Sequence, residues 1–251
     1  MDAPWLIADP EEYDEYDLGP LKTGKEADVF LVERIAPDGR SCLLAHKRYR
    51  PRRVTKKGEL ERLGFQRAAT FVNDRTYRDG RRFAKSRDQR AADKGSTYGR
   101  SLRGASWSAH EMETLERLWR AGVAVPYPVE RTTDGLLMQY LGDRTAAAPR
   151  LAQAGLGRAE VATAAAQLVA DLHRMVGAGV VHADLSVYNL LWWQDRVWVI
   201  DVPQAVDVAA SSDAFEFLHR DLRNVGGWFN SKGIAFDADD VLADLVSSSF
   251  G

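Results

Sequence analysis

Cysteine is nearly absent from this chain of 251 residues: Cys42 stands alone. One thiol closes no internal disulfide, so packing must hold the fold, and a reducing compartment fits. Cys42 lies in the apolar run 41–45 and reads as core rather than as a nucleophile. Also missing is any run of about 18 apolar residues, which excludes a helical membrane span. The N-terminal stretch MDAPWLIADPEEYDEYD is acidic and does not resemble a secretory signal or a transit peptide. These absences lead us to expect a cytoplasmic protein with no membrane partner. The chain lacks internal repeats. It also lacks the glycines of a GxGxxG loop and the GKS or GKT of a P-loop.

What is present begins with charge. The formal net charge of −2 conceals a strong asymmetry. Residues 47–103 hold 19 Lys and Arg against 6 Asp and Glu, so the rest of the chain is correspondingly acidic. A block this basic suits phosphates, whether of RNA, a ribosomal particle or a nucleotide. A solvated loop that keeps the chain soluble is the alternative. Within it, 59–65 and 86–94 read as short helices. Its low apolar periodicity leads us to expect partial disorder or a substrate-binding insertion. Tyr77, Phe83 and Tyr98 are candidates for stacking on bases or for local packing.

Around this block the chain reads as a small lobe. Residues 1–17 form an acidic arm or a short packed extension. Two strands flank a turn at Thr23-Gly24-Lys25, and Ala36-Pro37-Asp38-Gly39 marks a hairpin. A third strand ends at Lys47. A turn with one glycine is a weak phosphate loop and also an ordinary hairpin turn. A helix starts near Trp107, where Trp107, Glu111, Leu115 and Leu118 share one face. Glu111 on an apolar stripe needs a cation, and Lys47 is the natural one. The alternative places Glu111 at the edge of that stripe. An extended segment, 123–130, and a strand, 136–142, complete the lobe. A linker near Gly142 follows. The clearest helix spans 158–176, with Val161, Ala165, Leu168, Val169, Leu172, Met175 and Val176 as its stripe. His173, beside the stripe, reads as structural. Further helices are expected at 214–224 and 237–246, the last capped by Asp237.

The chemistry concentrates in residues 180–204, VVHADLSVYNLLWWQDRVWVIDVPQ. His182, Asp184 and Asn189 occupy one turn. Asp201 ends the run Val197-Trp198-Val199-Ile200. Carboxylate, amide and a second carboxylate after a strand supply hard oxygen ligands for Mg-nucleotide. The spacing HxDxxxxN, then strand and Asp, resembles the pattern of protein-kinase-like phosphotransferases. A capped turn is the structural alternative for Asp184 and Asn189.

With these residues in order, the sequence resembles the RIO family of atypical serine/threonine protein kinases. It is most similar to the type-one branch, in a bacterial-like form. The resemblance spans roughly residues 18–229. It rests on Thr23 to Ala27 with Val29, Lys47, Trp107 to Glu111, Pro126, Pro128, Leu137 to Gly142, and Ala148 to Leu151. It is most specific at His182-Ala183-Asp184-Leu185-Ser186 with Tyr188-Asn189, and at Ile200-Asp201 with Pro203 to Val206. Phe217-Leu218, Arg220-Asp221 and Asn224 complete it. It implies an α+β, two-lobed kinase-like fold with a small antiparallel β-sheet N-lobe and a truncated, mainly helical C-lobe. The expected N-lobe is 18–142, including the insertion 48–103, and the C-lobe is 143–251. Only about 50 residues follow Asp201, too few for a full kinase C-lobe.

The resemblance implies ATP and Mg2+, or Mn2+, as cofactors. ATP would meet Thr23, Gly24, Lys25, Lys47, Glu111, Met138, Gln139, Tyr140, Leu141 and Ser186. Asp184 would be catalytic, and Asn189 and Asp201 would hold metal. Asp201 is also a candidate phosphoryl acceptor, which would give an ATPase cycle. Ser186 stands where ordinary kinases place Lys, leaving Lys25 as the candidate replacement. Gln139 replaces an acidic hinge residue, and Lys22 replaces a Ser. The implied activity is phosphoryl transfer to protein Ser or Thr, including the chain itself. An ATPase switch in ribosome or RNA-particle maturation and a small-molecule phosphotransferase are the alternatives.

Overall fold

The computed structural model describes residues 3–24, 26–50 and 97–249, without the side chains of 10, 97–106 and 249. Lys25, Tyr77, Phe83, both short helices expected in the basic block and most of that block lie outside the described residues. The side chain of Tyr98 does too.

Five strands form one antiparallel sheet in the order β1-β2-β3-β5-β4. They are β1 (Asp14–Thr23), β2 (Ala27–Ile35), β3 (Ser41–Tyr49), β4 (Pro128–Arg131) and β5 (Gly135–Gln139). Helix α1 (Thr97–Arg120) packs on β4 and β5. The C-terminal half holds helices α2 (Arg158–Gly177), α3 (Ala214–Ser231) and α4 (Ala238–Ser249). It also holds the short strand pairs β6 (Val180–Val181) with β9 (Val206–Asp207), and β7 (Leu190–Trp193) with β8 (Arg196–Val199). No helix among the described residues is long and apolar enough to cross a membrane.

Apolar burial explains this arrangement. Val32, Leu44 and Leu137 bury one face of the sheet, against Trp5, Leu6 and Val129. Cys42 is buried with Ile7 and Ala36, so it is core as expected. Leu115 and Leu118 of α1 join the large core built on α2 and α3. The expected stripe of α2 is buried, save Val169, which packs partly exposed against it. His173 bonds Asp244 and Ser248 of α4 at 3.0 and 3.1 Å, a structural role.

Four boundaries differ from the sequence reading. Strand β1 begins at Asp14, so the stretch 14–17 extends the sheet, the packed alternative to an arm. The fully buried Arg34 explains why. It bonds Glu15 Oε2 at 2.9 Å and the Ile7 carbonyl at 3.2 Å, pairs with Glu130, and stacks on Tyr13. Helix α1 is already helical at Thr97, ten residues before Trp107, because a helix once nucleated propagates into turns that carry no stripe. The segment 123–127 is extended but joins no ladder. Its apolar residues are buried against the C-terminal half, where the Ala124 carbonyl accepts from Val199 N at 2.7 Å. Helix α3 continues past Asn224 through Gly226 and Gly227. There a Cβ on Gly226 would lie 2.7 Å from the Phe236 ring, so this glycine makes room for packing rather than ending the helix. The cap on α4 is as expected: Asp237 Oδ1 accepts from the amides of Asp239 and Asp240 at 2.9 and 3.2 Å.

Candidate active site

Strand β3 pairs with β2 and β5 and places Lys47 opposite Val29 and Leu136. A Cβ on Gly135 would overlap the carbonyl oxygen of Lys47, so only glycine lets β5 approach there. The strand's period of two turns Lys47 and Tyr49 to one face. That face meets α1.

Lys47 Nζ lies 2.7 Å from Glu111 Oε1 and 2.7 Å from Asp201 Oδ1. The expected Lys47–Glu111 pair is therefore formed, and Asp201 joins it from the other half of the molecule. Glu111 is 1% exposed, and Tyr49 donates its hydroxyl to the second Glu111 oxygen. A buried ion pair survives when its remaining lone pairs find donors. Burial alone would lower the Lys47 pKa, but Glu111 and Asp201 outweigh it and hold the ammonium above the ordinary Lys range. Burial pushes the Glu111 carboxyl up, opposed by Lys47 and Tyr49. Desolvation likewise opposes ionisation of Asp201. Lys47 overcomes it and holds that carboxyl below the ordinary range. Lys47 and Asp201 are thus charged at neutral pH.

Two turns meet beneath this pair. His182 is buried, and burial lowers its pKa, so the neutral ring donates from Nε2 to the Ile200 carbonyl at 3.1 Å. The Asn189 carbonyl accepts from Ile200 N at 3.0 Å. These two bonds lock the Asp184 turn to the Asp201 turn. Ala183 and Asp201 both occupy the left-handed region, at φ 61° and 66°. Such backbone persists in a non-glycine residue only where its surroundings impose it. Helix α3 supplies part of that restraint. Arg220 donates to the Ala183 carbonyl at 2.7 Å, and Asn224 to the Leu185 carbonyl at 3.4 Å. Asp184 is exposed at the cleft, and its carbonyl accepts from Asn189 Nδ2 at 2.8 Å. Ser186 Oγ accepts from Tyr188 N at 3.3 Å.

Asp221 lies under the same loop, 1% exposed. Its carboxylate closes no hydrogen bond within normal geometry among the described residues, although the amides of Ala183 and Leu185 and the Arg220 guanidinium act on it. Burial pushes its pKa to about 7. A carboxyl whose folded pKa is raised stabilises the fold below its unfolded pKa, and that contribution is lost as pH rises through the folded value. We expect the wild-type protein to lose stability relative to Asp221→Asn as pH rises from about 5 to 8, by an amount on the order of a few kcal/mol. Urea unfolding of both proteins at the two pH values measures it. A pH-independent difference would show that Asp221 does not titrate there.

The other predicted residues fall around this centre. Thr23 is exposed at the end of β1. The Gly24 amide donates to the Ala27 carbonyl at 3.0 Å and lies 3.3 Å from Asp28 Oδ1. Its own amide is thus bonded within the turn. Lys22 lies close enough to Asp201, Arg150 and Lys47 to feel their charges. Met138 pairs with Ala45 at the cleft wall, and Tyr140 and Leu141 are buried. The Gln139 amide donates to the Tyr127 carbonyl at 2.8 Å, and Gln139 Oε1 accepts from Tyr127 N at 3.2 Å. Gln at this hinge position therefore serves the local turn.

Sequence reasoning missed three contacts. Tyr49 is one, and its period-two spacing from Lys47 was the available signal. The others hold α1 on the C-terminal half: His110 Nε2 to the Ala205 carbonyl at 3.0 Å, and Arg117 to Asp207 at 2.7 Å. Nothing in sequence spacing pairs residues so far apart.

No group of three or more His, Cys, Asp and Glu converges among the described residues. A divalent cation would find one carboxylate, Asp201, and the Asn189 oxygen, since the Asn189 nitrogen is committed to Asp184. Two hard oxygens, completed by phosphates and water, would suit a hard divalent cation. The residues therefore fit a metal that arrives with a nucleotide.

A family model described as the RIO domain matches residues 69–241. The chain is 35% identical over 224 residues to RIO-type serine/threonine-protein kinase Rio1 of Haloferax volcanii, covering 89% of this chain and 66% of that protein. It is 30% identical over 233 residues to the probable serine/threonine-protein kinase RIO1 homolog of Encephalitozoon cuniculi, covering 92% of this chain and 58% of that one. The Thermoplasma acidophilum Rio1 kinase is 35% identical over 135 residues, covering 54% of this chain and 69% of the relative. This chain thus spans less than two thirds of the first two relatives. The family match begins after β3. The Haloferax match leaves too little of the chain uncovered to miss residue 47. These relatives are archaeal and eukaryotic, so the bacterial-like character stays an expectation.

Proposed function

The chain belongs to the RIO-domain family, and from that premise we propose that it is an ATP- and Mg-dependent protein kinase acting on Ser or Thr. The observation that carries this reading is Lys47, held at 2.7 Å from both Glu111 of one lobe and Asp201 of the other. We place the division between the lobes near Gly142.

Lys47, aimed by Glu111, binds the nucleotide phosphates. The backbone of 138–141 receives the base. Asn189 and Asp201 supply oxygens to magnesium, which when bound neutralises phosphate charge. Asp184 takes the proton of the acceptor hydroxyl as its oxygen attacks the γ-phosphorus and the bond to the ADP oxygen breaks. Thr23 and Gly24 lie at the phosphate edge. Lys25 and Ser186 are assigned there from the family pattern alone. The kinase reading is favoured over the two alternatives because the relatives carry kinase names. The basic block is our candidate surface for RNA or a ribosomal particle, tested by salt-dependent binding with and without residues 50–100. The single buried Cys42 suits a cytoplasmic, reducing setting.

Incubation with γ-labelled ATP and magnesium, followed by phosphoamino-acid analysis, tests the proposal. Label on Ser or Thr is expected, on the chain or an added protein. Hydroxylamine-sensitive label on Asp201 would replace this reading with the ATPase cycle. Label confined to an added metabolite would replace it with small-molecule transfer.

A further inference from the structure

We propose that Tyr49 is a positioning residue: its hydroxyl fixes the carboxylate plane of Glu111 and thereby aims Lys47 at the nucleotide. The proposal rests on the kinase reading of this site and adds to it a residue outside the expected set.

The geometry supplies the argument. A Glu side chain rotates softly about its last torsion, which is broad and roughly two-fold. One contact therefore does not set the direction of a carboxylate. Glu111 has two, on different oxygens: Lys47 on Oε1 and the Tyr49 hydroxyl on Oε2. Both donors leave β3 two residues apart on one face, so one rigid strand clamps the carboxylate. The phenol is itself held. Its ring meets Trp107 edge-on, with centroids 6.3 Å apart. Trp107 lies one helical turn before Glu111 on α1. The same ring lies 5.5 Å from Lys47 Nζ, where its face attracts the ammonium. Lys47 now divides its protons between Glu111 and Asp201. When phosphates claim the ammonium, the Tyr49 contact does not depend on it. Glu111 then stays fixed while Lys47 changes partner.

The test uses Tyr49→Phe in the full chain, which keeps the ring and removes the donor. Thermal unfolding establishes that the variant folds. We expect kcat for ATP-dependent transfer to fall about tenfold with KM for ATP within about threefold, because aim is lost more than affinity. The acid limb of the kcat profile should move to higher pH, since Glu111 loses a hydrogen bond that favours its charged form. The loss should vanish in a Glu111→Gln background, where Tyr49 has no carboxylate to hold. A kcat within about twofold of wild type, or a loss that persists undiminished beside Glu111→Gln, overturns the proposal. If the wild-type protein transfers no phosphate, the kinase reading falls by itself. The Tyr49 contact is then decided separately by 13C NMR of the Glu111 carboxyl. A resonance shifted by Tyr49→Phe upholds the clamp, and an unchanged one overturns it.

Discussion

Replacing Asp184 by alanine should lower phosphoryl transfer by about a thousandfold or more while leaving nucleotide affinity within about threefold. The size follows from the proposed role, since general-base catalysis contributes about 10²–10⁴-fold. The specificity follows from the structure. Asp184 is exposed, and its loop is braced through backbone carbonyls. Asn189 donates to its carbonyl, Arg220 braces Ala183, and Asn224 braces Leu185. An alanine keeps all three bonds, so the loop should hold its shape. Lys47, the hinge and the metal oxygens are untouched, so binding should persist. Titration calorimetry with a non-hydrolysable ATP analogue reads affinity, and steady-state transfer of labelled phosphate reads kcat. Phosphate transfer that survives undiminished would remove Asp184 from the chemistry. The isosteric Asp184→Asn should be nearly as inactive, because its amide accepts no proton.

Parts of this site were visible in sequence for definite physical reasons. Asp184, Asn189 and Asp201 sit in short turns where local spacing sets geometry, so HxDxxxxN and the strand ending at Asp201 marked them. Glu111 was visible because a carboxylate on an apolar helical stripe is an anomaly that demands a cation. Its pairing with Lys47, 64 residues away, followed from that demand. Tyr49 was harder. A tyrosine near the end of a strand has many ordinary uses, and only the arrival of α1 shows that its hydroxyl meets Glu111.

The fold differences have the same character. Residues 123–125 are an apolar run that fits a strand or a buried connection equally well, since a short run has no decisive period. Its burial against the C-terminal half settles the matter. Gly226-Gly227 looks like a helix end until Phe236 stacks at 5.5 Å on Phe229, beside Gly226. At Gly24 the amide bonds Ala27 and lies near Asp28, partners that the spacing of the turn does not announce. In each instance a tertiary neighbour decides what the local signal means.

Lys47→Met should have the other large effect, and it should appear in both activity and stability. Turnover should fall at least about a hundredfold, because the ammonium aimed at the phosphates is gone. The fold should also weaken by about 3–5 kcal/mol at neutral pH, since removing one partner of a buried pair leaves the other charge uncompensated. Glu111, 1% exposed, is that charge. The loss should depend on pH in a stated direction. Burial already pushes the Glu111 carboxyl up, and Lys47 is the largest influence opposing it. Without Lys47 the folded-state pKa rises further above its unfolded value. A raised carboxyl contributes stability below the unfolded pKa and loses it as pH climbs through the folded one. The variant should therefore recover stability on acidification from pH 7 towards 5. The wild-type Asp201 runs the opposite way. Its depressed carboxyl contributes stability above its unfolded pKa and loses it as pH falls through the folded one. That loss falls at a pH below the range compared, so between pH 7 and 5 the Glu111 carboxyl is what makes the difference between variant and wild type shrink with acid. Thermal unfolding of both proteins across this range measures the difference. A gap that stays constant, or widens as pH falls, would show that Glu111 is not the charge left stranded.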